Sequence, residues 1–271
     1  VIPGFYGADV KGSIRIFQRG GSDITGAIIA RGVNAGLYEN WTDVDGLQSA
    51  DPRVVSNPKI VPILTYKEIR ELSYRGADVL QRDTILPLAE LGIPINIRNS
   101  FNPQNPGTMV VPGRPVIQDE NIIGIAGKGG FVSFQIEKYG MNEAIGVGDQ
   151  IAQVFKEQSI SYEFDVAQLD AISVIVNQSE LDGNESSVIQ GIQAAVCPNN
   201  IVVEKDLGIV CLVGQGIKFN PDQVLGTLSS ALKAASIPVR ALIFRPSGIN
   251  VIVGVSSNQV NEAIRVLYET F

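Results

Sequence analysis

Arg19-Gly20-Gly21-Ser22-Asp23 is the segment of this sequence best equipped for anion chemistry. A guanidinium grips a carboxylate through two parallel hydrogen bonds, and paired glycines let the backbone approach a ligand closely. Ser22 and Asp23 are good helix N-cap residues, and Ile24, Ala27 and Ile28 follow at helical spacing. A turn entering a helix N-terminus in this way suits an anion. Gly-Gly-Ser-Asp is also an ordinary turn, so the segment alone is a weak signal. About twenty residues on stand Trp41-Thr42-Asp43-Val44-Asp45-Gly46 and then Ala50-Asp51-Pro52-Arg53. Thr42 and Asp43 end a strand pattern over 36–42, at the strand tip where α/β sheets take ligands. Asp43 and Asp45, two apart, would also suit calcium, but the further ligands of a calcium loop are missing; a plain acidic turn is the bland reading. The sequence has no histidine, which removes Ser-His-Asp chemistry and the usual zinc sites. Catalysis by this chain would rest on Arg, Lys, Asp, Glu and backbone dipoles, a set that suits phosphoryl transfer.

Taken together, in this order and spacing, the three segments resemble those of the aspartokinases, which phosphorylate the side-chain carboxylate of aspartate. The likeness begins at Pro3-Gly4-Phe5-Tyr6-Gly7 and runs on through Gly76-Ala77-Asp78-Val79-Leu80 to Pro106-Gly107-Thr108. Beyond that, the remaining residues are similar to the family's paired regulatory ACT domains. The resemblance implies that Arg19, Gly20, Gly21 and Ser22 bind L-aspartate, with Arg19 and Asp23 as the catalytic pair. Asp23 would position the substrate ammonium group or a neighbouring lysine. Thr42, Asp43, Asp51 and Arg53 are implied for ATP: Asp43 for the ribose hydroxyls, Thr42 for the base or a phosphate, Arg53 on the phosphate side. ATP would bring its own Mg²⁺, and neither a tightly bound cofactor nor a metal site on the chain is implied.

Departures from the family pattern stand at Gln48 (commonly Tyr), Asp78 (commonly Lys) and Gln81-Arg82 (commonly His-Pro). The family's Lys-x-Gly-Gly phosphate loop is not in this sequence, and Val1 opens in the middle of a strand pattern. These features predict a piece of a longer protein, inactive by itself. A degenerate kinase half fused to an amino-acid sensor is the alternative; a kinase for glutamate or acetylglutamate fits the motifs less well.

The chain has 271 residues, enough for two or three domains, and is 45% hydrophobic and 18% charged. Residues 1–111 hold 11 basic and 11 acidic side chains, so the whole net charge of −7 lies in 112–271. An acidic half without basic clusters argues against nucleic acid and anionic membrane as partners. Cys197 and Cys211 fit no metal spacing and read as buried, reduced thiols of a cytoplasmic protein.

The elements that would position these residues alternate between strand and helix over 1–111, which predicts a mainly parallel α/β sheet and part of an amino-acid-kinase α/β/α sandwich. Thr65-Tyr66-Lys67-Glu68 is a capping box opening a helix with Ile69 and Leu72 on one face. A helix near 84–91 ends at Gly92, and 93–98 alternates as a strand. The Asn, Pro and Gly density over 99–121 marks a domain boundary. Residues 112–130 read as a linker and first strand. A strand (131–137), a helix (146–157), strands at 161–167 and 171–177, a helix near 185–195 and a strand at 201–204 then make one βαββαβ unit over 131–205. The order restarts over 206–271 with strand 208–213, helix 221–235, strands 239–245 and 249–255, and helix 257–269. Residues 121–126 could complete this second unit. In the ACT domains the resemblance puts the loop Met141–Gln150 over an amino-acid effector, lysine or threonine. Gly148 would give close backbone, Asp149 or Glu163 would hold the effector's cationic groups, Gln150 would complete the effector-binding loop, and Ser161 and Tyr162 would lie on the adjoining strand. Paired ACT edges imply a homodimer or larger assembly.

Overall fold

Among the described residues, the first 111 positions form six short strands and three helices. They are β1 (Tyr6–Ala8), β2 (Ile14–Ile16), α1 (Gly21–Gly32), β3 (Tyr38–Thr42), β4 (Ile63–Thr65), α2 (Tyr66–Tyr74), α3 (Arg82–Ala89), β5 (Ile95–Asn99) and β6 (Thr108–Val111). The structure is a computed structural model and describes all residues except 18–19, 75–79, 81, 116–121, 182 and 246–247. Arg19, Asp78, Gln81 and the Gly76 helix stop therefore lie outside the described residues.

The capping box operates as expected. Thr65 N donates to Glu68 Oε2 (2.8 Å) and Glu68 N to Thr65 Oγ1 (3.3 Å), which satisfies two orphan donors of α2 reciprocally. Ile69 and Leu72 are fully buried beneath it. At α1 the reading is corrected. The N-cap is Gly20, at φ 88, and the helix is already under way at Gly21, so Ser22 and Asp23 sit in the first turn instead of capping it. The left-handed glycine lets the chain enter the helix early. A Cβ on Gly21 would collide with Phe17, so the tight entry depends on glycine twice.

Strands β3, β5, β6 and β4 lie side by side in that order. β3 runs parallel to β5 and β4 to β6, but β5 and β6 are antiparallel. The sheet is thus mixed, because the 100–107 connection returns the chain directly alongside β5. Strands β4 and β6 were hidden in the sequence by shortness and by the Pro and Gly around them.

The rest of the chain forms β7 (Gly124–Glu137), α4 (Val147–Glu157), β8 (Phe164–Ala167), β9 (Ala171–Asn177), α5 (Gln178–Leu181), α6 (Glu185–Val196), β10 (Asn200–Val213), α7 (Pro221–Ala234), β11 (Ala241–Phe244), β12 (Asn250–Ser256) and α8 (Val260–Thr270). Short 3₁₀ turns span Gln215–Lys218 and Ser257–Gln259. The two strands expected at 201–204 and 208–213 are one continuous strand, β10, which carries Asp206 at φ 61.

Two compact units result. One holds Val1–Gly127, Val210–Val253 and Asn261–Phe271, the other Lys128–Ile209 and Gly254–Val260. In the second unit the strand order β10-β7-β9-β8 carries α4 and α6. Phe134, Ile136, Ile151, Phe155, Val174, Val188 and Ile192 fill its core, with the Phe134 and Phe155 rings edge to face at 5.9 Å. The first unit contains the β3–β6 sheet and the order β11-β12-β10-β7, where Ile123 N donates to Val213 O (2.7 Å). There the start of β7 closes on α2 and the 47–50 segment: a Cβ on Gly124 would stand 3.0 Å from Leu72 and 3.2 Å from Ser49 O.

Candidate functional site

Helix α1 and strand β3 are joined by a short connection that turns back at once, with Ala35 N donating to Ala30 O (2.9 Å). The strand then packs against the helix. Tyr38 Oη donates to Asp23 O (3.3 Å), and a Cβ on Gly26 would press to 2.7 Å from that hydroxyl. Burial pushes the Tyr38 hydroxyl pKa up, so it stays a proton donor. The Tyr38–Asp23 bond joins the start of β3 to the first turn of α1, which holds Gly21, Ser22 and Asp23, and the strand ends four residues on at Thr42. Ser22 is exposed and Asp23 half-buried. Arg19 lies outside the described residues.

The loop after β3 is held from several sides. Thr42 Oγ1 donates to Asp43 Oδ1 (3.2 Å), and Thr42 O accepts from Ser100 N (2.8 Å). Asp45 Oδ1 accepts from Asn99 Nδ2 (2.8 Å) and from Asn102 Nδ2 (3.1 Å). Gly46 takes φ 132, where a side chain is strained, and a Cβ there would also strike Thr108 Oγ1. That hydroxyl is in use: it accepts from Leu47 N (2.8 Å) and donates to Val61 O (2.7 Å).

Asp51 and Arg53 form a pair, with Arg53 Nη2 2.7 Å from Asp51 Oδ2 and Arg53 Nε 3.0 Å from Oδ1. The Arg53 hydrogen bond holds the Asp51 carboxyl below its ordinary value, against the opposing effect of burial. Arg53 is 82% exposed, so its guanidinium remains within reach of an incoming anion. Beside the tip, the Arg98 guanidinium lies over the Trp41 ring at 4.7 Å and its Nη1 reaches Glu39 Oε1 (3.2 Å). Trp41 and Arg98 are register partners across β3 and β5.

The second group of expected site residues is placed as follows. Met141 is buried in the core of the second unit, at 6% exposure, so its thioether packs inward. Gly146, at φ 83, caps α4, and Gly148, Asp149 and Gln150 lie exposed in the first turn of that helix. Ser161 and Tyr162 precede β8 instead of lying on it, because the strand begins at Phe164. The Tyr162 ring meets Phe155 at 5.8 Å, edge to face, and Glu163 N donates to Ile175 O (2.8 Å). Cys211 is buried, whereas Cys197 is exposed: it ends α6 in the left-handed region at φ 46, which turns it off the apolar face.

Asp45, Asn99 and Asn102 were not singled out as a group by the sequence. The only hint was the Asn density after β5, which reads equally well as a loop. No helix of the described residues is long and apolar enough to cross a membrane.

Comparison with known proteins gives the following. The amino acid kinase family model matches residues 1–99, and an ACT domain model matches 210–271. Aspartokinase 3 of Bacillus subtilis is 37% identical over 275 aligned residues, which cover all of this chain and 60% of that protein. The bifunctional aspartokinase/homoserine dehydrogenase of Haemophilus influenzae is 29% identical, over 99% of this chain and 33% of its own length. Among solved structures, the aspartate kinase of Clostridium acetobutylicum, an allosteric enzyme, superposes with a TM-score of 0.87 at 37% identity, over 99% of this chain and 61% of that one. Aspartokinase III of Escherichia coli, solved with aspartate and ADP, shares the fold with a TM-score of 0.80 at 24% identity, over 99% of this chain and 59% of that one. The chain thus spans 60% or less of the length of these two curated relatives.

Proposed function

We propose, from the premise that this chain belongs to the aspartokinase family, that it is the nucleotide-holding and regulatory part of an aspartate kinase. The reaction transfers the γ-phosphoryl group of ATP to the side-chain carboxylate of L-aspartate. A carboxylate oxygen forms the new P–O bond, the bond to the β-phosphate oxygen breaks, and 4-phospho-L-aspartate and ADP leave. Such a product is the first intermediate toward lysine, threonine and methionine. Residues 1–111 are the nucleotide-binding part of the kinase domain, 112–130 a linker and first strand, and 131–205 and 206–271 the two ACT domains.

Two anionic reactants must be brought together, so the site needs a clamp for one and a separate clamp for the other. Arg19 grips the α-carboxylate of aspartate while Gly20, Gly21 and Ser22 line it closely, and Asp23 orients the ammonium group. Thr42 and Asp43 take the nucleoside end of ATP, and Asp51 and Arg53 its phosphate side; Mg²⁺ arrives with ATP. The observation that carries this reading is the α1–β3 pair. The Tyr38–Asp23 hydrogen bond of 3.3 Å ties the first turn of the helix to the start of the strand, and Thr42-Asp43 follows where that strand ends.

The ACT domains bind an amino-acid effector, lysine or threonine, at Gly148, Asp149, Gln150, Ser161, Tyr162 and Glu163. A second copy of the chain completes the site, and the protein works in the cytoplasm. The test uses the full-length gene product with ATP, Mg²⁺ and aspartate, following ADP release and trapping the acyl phosphate with hydroxylamine. Arg19→Lys should raise KM for aspartate roughly ten- to a hundred-fold and leave KM for ATP unchanged, and Asp43→Ala should do the reverse. Full-length protein that turns over glutamate but not aspartate would sink the reading.

A further inference from the structure

The connection between β5 and β6 carries an aromatic ring with no assigned task. Phe101 is 85% exposed, yet its backbone is firmly placed. Phe101 N donates to Asn99 Oδ1 (2.8 Å), Asn102 N donates to Asn99 O (3.2 Å), and both asparagine amides reach Asp45. One residue earlier, Ser100 N is bound to Thr42 O at 2.8 Å. The ring is therefore carried on backbone next to the Thr42–Asp45 turn, on a loop clamped to that turn by three hydrogen bonds. Large apolar side chains on ordered backbone ordinarily gain stability by burial, and this one has forgone it. The nearby Trp41 is a poorer free platform, because the Arg98 guanidinium already lies over its ring at 4.7 Å.

A solvent-facing aromatic ring on fixed backbone, next to the turn proposed to take the nucleoside, has an evident use. Every nucleobase offers a π-face, and stacking on an aromatic side chain binds it with little orientational demand. We propose that Phe101 is the platform on which the purine base of the nucleotide stacks, while Asp43 receives the ribose hydroxyls. The Asp45–Asn99–Asn102 clasp is then a positioning device, because it sets the height of the ring above the turn. This rests on the aspartate-kinase reading and extends it to base recognition.

The full-length protein tests the idea. Phe101→Ala should raise KM for ATP and Kd for ADP about ten-fold, with KM for aspartate unchanged. Phe101→Tyr, which keeps the π-face, should stay near wild type. Inorganic tripolyphosphate has no base, so its inhibition constant as a competitor of ATP should be the same for wild type and Phe101→Ala. Thermal melting of Phe101→Ala should match wild type. Nucleotide affinity of Phe101→Ala within two-fold of wild type would overturn the proposal. So would equal losses for ATP and tripolyphosphate, or a lowered melting temperature with nucleotide affinity intact, which would mean that the ring is covered by protein. Wild-type protein that binds no adenine nucleotide would remove the kinase reading and this inference together, whereas wild type that binds while Phe101→Ala binds equally well would remove only the stacking.

Discussion

Arg114 Nη2 lies 3.0 Å from Glu68 Oε1, and the two side chains are 3% and 0% exposed. The pair joins the segment after β6 to the first turn of α2. Glu68 Oε2 also accepts from Thr65 N and Thr65 Oγ1, both at 2.8 Å, and from Gln215 Nε2 at 3.4 Å. Gln215 belongs to the 3₁₀ turn after β10, so one carboxylate serves a helix cap, the segment after β6 and the turn after β10 at once. A second bond of the same kind runs from Asn250 Nδ2 to Glu71 Oε2 (2.8 Å).

Removing one partner of a buried pair leaves the other charge uncompensated, which costs far more than the pair contributes. Arg114→Ala is expected to destabilise the protein by roughly 3–5 kcal/mol. The double variant Glu68→Gln with Arg114→Met should recover most of that loss. Urea unfolding of the three proteins measures the difference; a single variant as stable as wild type would mean that water reaches Glu68.

The same carboxylate makes stability depend on pH. Burial pushes its pKa up, but the hydrogen bonds from Arg114 and Thr65 prevail, and it falls below the ordinary 4.5. A depressed folded pKa means that the unfolded chain binds the proton more readily. The contribution is therefore fully present above the unfolded value and is lost as pH falls through the folded one. Wild type should lose urea resistance in acid below about pH 4.5 more steeply than Glu68→Gln. Parallel pH profiles for the two would refute the assignment.

Gly46→Ala should lower stability by more than about 1 kcal/mol. Its φ of 132 suits only glycine, and the added Cβ would strike Thr108 Oγ1, the hydroxyl that ties Leu47 to Val61. A melting curve decides it. Gly32→Ala makes a fair control, since a Cβ there meets nothing within 4 Å.

Asp45→Ala should cost about 1–3 kcal/mol of stability by orphaning the amides of Asn99 and Asn102. In the full-length protein it should also raise KM for ATP several-fold while KM for aspartate holds. Asp45→Asn keeps one acceptor oxygen and should fall between. Calorimetric binding of ADP to each variant provides the readout.

Arg53→Ala separates surface charge from ligand contact. The pair with Asp51 is 82% exposed on the arginine side, so its loss should change stability by less than about 1 kcal/mol. If Arg53 meets phosphate, the same change should weaken ADP binding at least ten-fold and leave aspartate binding alone. An unchanged ADP affinity would take Arg53 out of the site.

What the sequence by itself determined was local. Thr65 and Glu68 are three residues apart, so their reciprocal capping follows from helix geometry alone. Ile69 and Leu72 faced the core, and the helices at 147–157 and 185–196 began and ended within a residue or so of their apolar periodicity. The chemistry-bearing strings were legible for the same reason, since each is contiguous. Where local rules compete, tertiary contacts decided. Ser22 and Asp23 are excellent caps by type, but Phe17 and the left-handed Gly20 start the helix before them. Cys197 looked like a buried thiol, yet the end of α6 turns it outward. Only the fold could bring Arg114 to Glu68, 46 residues apart, or Asn99 to Asp45, 54 residues apart. Such pairs depend on strand register and on which helix a linker crosses, and those follow from burying several apolar faces at once. No periodicity in one segment carries that information.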